Sequence, residues 1–191
     1  MSHANEHLDS TTLRRVTLCL LGAQALAAVV ALGYGHTNVI GEMQLLLFIA
    51  CGTAVLMWIQ RACHNARVKA PEMRATPGWV VGWYFVPLAN LWMPILNLRE
   101  IWKNTAQQAG RPDDRGGLLL TGWWLLWLTR GAAASAQYNG FGTFDADTQR
   151  LNASLDWVML LLCVVFAFIV LRLTELQRRA FEPPAAVPAS A

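Results

Sequence analysis

Charge is scarce in this sequence. Only 14 % of its 191 residues are charged, against 55 % hydrophobic, and the mean hydropathy is positive. That balance excludes an ordinary soluble globule and places the chain among integral membrane proteins, with room for one domain. Histidine is scarce too: His3, His7, His36 and His64 all lie outside the apolar runs, which excludes a bis-histidine haem between helices. The four cysteines, Cys19, Cys51, Cys63 and Cys163, show no CxxC spacing, and three sit inside apolar runs. They read as small packing residues rather than a disulfide frame or a metal site. HExxH, GxSxG, P-loop and Gly-rich dinucleotide signatures are missing as well. The sequence thus offers no catalytic residue, metal ligand or cofactor-binding set, and an enzyme is the less favoured reading.

What is present is a set of long apolar runs. A polar tail, residues 1–15, precedes a membrane domain over 16–179, with spans expected at about 16–34, 43–59, 117–138 and 155–173. A signal peptide competes for the first run, but its length and the runs that follow favour a retained span. Between Gln60 and Gly116 stand Arg61, Arg67, Lys69, Arg74, Arg99, Lys103, Arg111 and Arg115, opposed by Glu72, Glu100, Asp113 and Asp114. By the positive-inside rule this side is cytoplasmic. The loop holding Asp145, Asp147 and Arg150 is not basic, whereas Arg172, Arg178 and Arg179 follow the last span. The expectation is therefore an all-α, multi-pass membrane protein, a four-helix transmembrane bundle with both termini cytoplasmic. Its Pro- and Ala-rich tail, residues 180–191, is expected to be disordered.

The stretch from Arg74 to Lys103 does not fit a plain span. It holds Trp79, Trp83, Trp92 and Trp102, and Pro77, Pro87 and Pro94. Each internal proline removes a backbone donor, and broken backbone at membrane depth must be satisfied by protein or trapped water. Cations also flank the stretch on both sides, so a full crossing would strand one cluster outside. Both arguments favour a Pro/Trp-rich re-entrant or interfacial element over about 77–108. Within it, Asn90 is expected to cap a helix beginning at Leu91, with Pro94 in the first turn. Leu98, Ile101, Trp102 and Thr105 then share a face opposite Arg99, Lys103 and Gln107, the pattern of a helix lying on a membrane surface.

These residues carry a resemblance. Trp58, Arg61 and Asn65 end a span; Thr76, Pro77, Gly78 and Trp79, then Gly82 and Trp83, then Phe85, Pro87, Asn90, Trp92 and Pro94 follow; Arg99, Glu100 and Trp102 continue on a helix. Arg172, Thr174 and Gln177 close the last span. The chain resembles, over most of its length, bacterial membrane proteins of a domain-of-unknown-function family, number 4328. The resemblance implies a multi-pass topology in a bacterial inner membrane and no activity.

Several residues invite chemistry. Arg130 falls about 20 Å into the third span, where a cation needs a partner or water, and Asp156 lies at a compatible depth. The pair reads as an ion path or as a contact that fixes helix register. Asn90, Asn97 and Trp92 sit at the break, where they either hold a lipid or define a turn. Trp79 with Trp83, and Trp123 with Trp127, repeat at helical spacing as interfacial anchors or packing. Glu100 beside Arg99 reads as a surface ion pair. The cluster Arg61, Arg67, Lys69 and Arg74 points toward anionic head groups, and nucleic acid is excluded as a partner because these cations lie against the membrane.

Three functions remain open. The first is a non-enzymatic module that binds membrane lipids or a partner protein through residues 76–103. It would form a homo-oligomer through the small residues Gly131–Ala136. The second is a small transporter or channel component using Arg130, Asp156 and the broken helix. The third is an interfacial lipid-modifying enzyme.

Overall fold

A computed structural model describes residues 10–35, 37–112, 114–139 and 146–182. Among these residues every regular element is helical: α1 (Thr11–Tyr34), α2 (Asn38–Lys69), α3 (Trp79–Gly82), α4 (Met93–Gln108), α5 (Gly116–Asn139) and α6 (Ala146–Phe181). Two single 3-10 turns, Trp83–Phe85 and Ala89–Leu91, stand between α3 and α4. The expected tails up to residue 9 and from residue 183, and the loop at 140–145, lie outside the described residues.

Among the described residues three helical stretches are long and apolar enough to cross a membrane: Thr11–Tyr34, Asn38–Lys69 and Arg150–Phe181. Helix α5 has the length, 24 residues. Its hydropathy falls short of theirs, because Trp123, Trp124, Trp127 and Arg130 dilute the leucines.

Helices α2 and α6 outrun their apolar centres. With 32 and 36 residues they extend about 48 and 54 Å, against roughly 30 Å of hydrocarbon. No Gly or Pro interrupts α2 after Gly52, and it ends at Ala70, the residue before Pro71, where φ −134° leaves the helical region. The projecting ends are tied together. Gln177 Nε2 donates to the Ala62 carbonyl at 2.8 Å. Lys69 Nζ donates to the Ala180 carbonyl and lies 4.9 Å from the centre of the Phe181 ring.

Helix α1 packs on both α2 and α6, whereas α5 reaches the bundle through α6 and α4. The core lies where α1, α2, α4, α5 and α6 converge. Trp58 is 1 % exposed and meets Phe166 edge-on at 5.9 Å. Ile169 and Leu173 of α6 are fully buried as well.

Helix α4 differs from expectation in two ways. It begins at Met93 with Trp92 at its N-cap position, so Asn90, in the preceding 3-10 turn, does not cap it. Pro94 does occupy the first turn, where the missing N–H does no harm. The face formed by Leu98, Ile101, Trp102 and Thr105 is buried, and α4 packs on α2, α5 and α6. The apolar stripe is spent on protein contacts, leaving Arg99, Lys103 and Gln107 outward.

Burial separates the tryptophans energetically. Trp58→Ala is expected to cost about 3–5 kcal/mol, read as a fall in the thermal midpoint in detergent. Trp79→Ala, at a side chain 59 % exposed, is expected to shift the same midpoint by less than a third as much.

Candidate functional site

The link between α2 and α3 is irregular, and two side chains satisfy its backbone from opposite sides. Arg67, one turn from the end of α2, donates to the carbonyls of Met73 and Ala75 (2.9 Å to the latter) and of Pro71 (3.2 Å). Glu100, from α4, accepts the N–H groups of Arg74 and Ala75 at 2.8 and 3.0 Å. Cys63 adds a weak donation to the Ala75 carbonyl at 3.6 Å. Carbonyls face a guanidinium and amides face a carboxylate, so each charge is used without a direct Arg–Glu contact. Glu100 is thus no surface ion pair with Arg99, whose Nη2 donates to Thr121 on α5. Of the basic cluster, Arg67 and Lys69 are engaged with backbone carbonyls, while Arg74 is exposed.

A second junction forms where α4 turns into α5. Asp114 Oδ1 accepts from the Trp102 indole at 3.0 Å and from the Gly116 N–H at 3.1 Å, and its Oδ2 pairs with Arg172 of α6 at 2.8 Å. Gly116 is required by contact: a Cβ there would lie 1.8 Å from the Trp102 ring. Burial works against ionisation of Asp114. The Arg172, Trp102 and Gly116 donors overcome it and hold the carboxyl below its ordinary value.

Between these junctions lies the broken element. Pro77 and Gly78 lead into α3, and Trp79 and Trp83 lie ring to ring at 4.8 Å. Phe85, Val86, Leu88, Leu91 and Trp92 are exposed, with Phe85 and Leu88 each at 73 %. The turn is pinned from α5: the Trp124 indole donates to the Leu91 carbonyl at 3.2 Å, and Tyr84 meets Trp124 edge-on at 6.3 Å. Trp124 is eight residues beyond Gly116, so the turn reaches about 12 Å along α5. Trp124 also stacks on Trp127 at 4.9 Å, while Trp123 packs on Phe166 at 4.7 Å. The expected pair Trp123 with Trp127 is thus replaced by Trp124 with Trp127.

Asn90 Oδ1 and Asn97 Nδ2 are buried without a hydrogen-bond partner, and Trp92 is 49 % exposed. Asn65 is fully buried on α2 and Arg61 half-buried.

A cavity of about 290 Å³ opens among α1, α2, α5 and α6, floored by Tyr84. Arg130 lines it, about 21 Å along α5 from Gly116. Asp156, 5 % exposed, accepts from Gln44 Nε2 at 3.1 Å, and its charge attracts Arg130. The described residues hold no group of three or more His, Cys, Asp or Glu suited to a metal ion.

The model of a domain of unknown function, DUF4328, matches residues 21–178. The chain belongs to this family. The DUF4328 match takes in both junctions, the broken element and every residue lining the cavity. No curated protein and no solved structure matches.

Sequence reading missed Asp114, Gly116, Gln24 and Tyr84. Asp114 and Gly116 carried a usable signal, since an acid one residue from a glycine pair stands at a helix start. Gln24 is the one amide side chain within the apolar run of 16–34. Nothing marked Tyr84.

Acid should test the Asp114 junction. Because the folded carboxyl titrates below its ordinary 3.8, its contribution is complete above that value and is lost as pH falls through the lower folded value. Asp114→Asn is expected to cost about 2 kcal/mol at pH 7 and to flatten the fall of the thermal midpoint below pH 4. Gly116→Ala should cost about 1–3 kcal/mol by forcing Trp102 aside, and its midpoint should vary less with acid than that of the parent.

Proposed function

We propose that this protein is a non-enzymatic membrane module with four spans, α5 being the fourth, and both termini cytoplasmic. The segment from α3 to α4 enters the bilayer from the cytoplasmic side and returns. It presents its broken turn to membrane lipid. The observation that carries this reading is the exposure of Phe85, Leu88 and Leu91 on a turn bonded to α5 about 12 Å from that helix's first residue. Exposed apolar side chains at that height cost free energy in water and none in lipid.

The exposed residues of the neighbouring helices support the same reading. Leu26 and Val29 of α1, Leu45, Leu46 and Ile49 of α2, and Phe168 and Leu171 of α6 are all exposed. Exposed apolar side chains on three helices suit hydrocarbon rather than one protein partner. Arg74, Arg99, Lys103 and Arg111, all exposed, stand where anionic head groups would lie. Asp156, held by Gln44 and attracted to Arg130, acts here as a fixed counter-charge rather than as a step in an ion path.

A nitroxide attached at Leu88→Cys, in the full chain reconstituted in phosphatidylcholine with one fifth phosphatidylglycerol, tests the placement. The expected result is high collision with oxygen and low collision with a water-soluble nickel chelate. Strong nickel collision at Leu88 would place the turn in water and end the lipid-facing reading.

A further inference from the structure

The cavity beside Arg130 is built unlike a packing defect. Its walls are largely apolar, with Leu21, Trp127 and Phe166 among them. Three of its lining residues nevertheless bring a buried polar atom with no hydrogen-bond partner: Gln24 Oε1, Tyr84 Oη and Arg130 Nε. They come from α1, the turn after α3, and α5. Gln24 is only 3 % exposed. A purely apolar hole stays dry and needs no polar lining, while each unmet buried donor or acceptor is destabilising. Three such atoms around one space are the mark of groups waiting for a molecule.

Charge narrows its nature. Asp156 already stands opposite Arg130 as a buried counter-ion. A further anion would leave net negative charge in a dry site, and a cation would meet the guanidinium, so the favoured occupant is uncharged. The Arg130 Nε–H and the Tyr84 hydroxyl are both able to donate, and they call for acceptor oxygens. Helices α2 and α5 barely meet, and Gly52 and Gly131 line the space between them with nothing near where a Cβ would stand. A tail can leave there toward lipid.

We infer that this cavity binds one uncharged, apolar-tailed molecule whose head carries carbonyl oxygens, held by Arg130 and Tyr84. Isoprenoid quinones and diacylglycerols are the two membrane-soluble sources of that chemistry. The inference deepens the lipid-binding reading and rests on it. Its own failure is separable, because the Leu88 collision measurement does not depend on what fills the cavity.

The test uses the full chain in phosphatidylcholine nanodiscs, titrated separately with decylubiquinone, dioctanoylglycerol and decanoate. Stoichiometry is followed by native mass spectrometry and stabilisation by thermal midpoint. Saturable one-to-one binding of decylubiquinone identifies the quinone source, and that of dioctanoylglycerol the ester source; either supports the inference. Tyr84→Phe removes an unpartnered hydroxyl, so the unliganded midpoint should hold or rise while affinity falls about tenfold. A ligand-site role produces that opposition and a packing role does not. Gly131→Leu should abolish binding with the fold retained. Binding of decanoate alone, absence of one-to-one binding, or affinity unchanged in both Tyr84→Phe and Gly131→Leu would overturn the inference.

Discussion

Backbone that leaves the helix beside a membrane must find its hydrogen bonds within the protein, and the architecture between α2 and α5 is organised by that need. From Ala70 to Trp92 the chain makes only one short helix and two single turns. Arg67 takes up the carbonyls of its first stretch, Glu100 takes up two N–H groups, and Trp124 reaches the carbonyl at Leu91. Each comes from a long helix, α2, α4 or α5. The irregular segment is therefore positioned by regular ones, and its exposed side chains are held in place without a core of their own.

The Asp114 junction completes the arrangement. It joins the buried face of α4, the first residue of α5 and the projecting end of α6 in one carboxylate. The excess length of α2 and α6 has the same purpose. Their C-terminal ends reach beyond the apolar stretch, and α4 packs on both helices. With α5 fixed through α6 and α4, a gap remains facing α2, and the cavity lined by Arg130 occupies it. Site and fold thus share one cause. A bundle closed on all sides would have no such space, and the turn holding Tyr84 would have nothing to floor.

Much of this was legible in the sequence. Length of apolar run, the positive charge around Arg61 to Arg115 and the prolines identify an all-α membrane chain with a broken segment, because these signals are local and additive. Family membership was legible from the Trp, Pro and Asn spacing alone. The partners of polar groups were not. Glu100 was paired with its chain neighbour, although its hydrogen bonds lie 25 and 26 residues away. Trp58 was legible as the end of a span, but not its packing on Phe166, more than a hundred residues along the chain. Amphipathicity gave the buried face of α4 correctly, yet the same stripe fits a membrane surface and a protein core equally well. Tyr84 shows the limit most plainly: a lone tyrosine in an aromatic run carries no mark of the cavity that four helices build around it.

The central claim is that the chain enters and leaves the membrane on one side between α2 and α5. Single cysteines at Arg74 and Lys103, in a chain otherwise free of cysteine, test it with impermeant thiol reagents applied from each side. The account predicts labelling of both positions from the cytoplasm alone. Labelling of Arg74→Cys from one side and Lys103→Cys from the other would make the segment a full crossing, reverse the later helices and contradict the account.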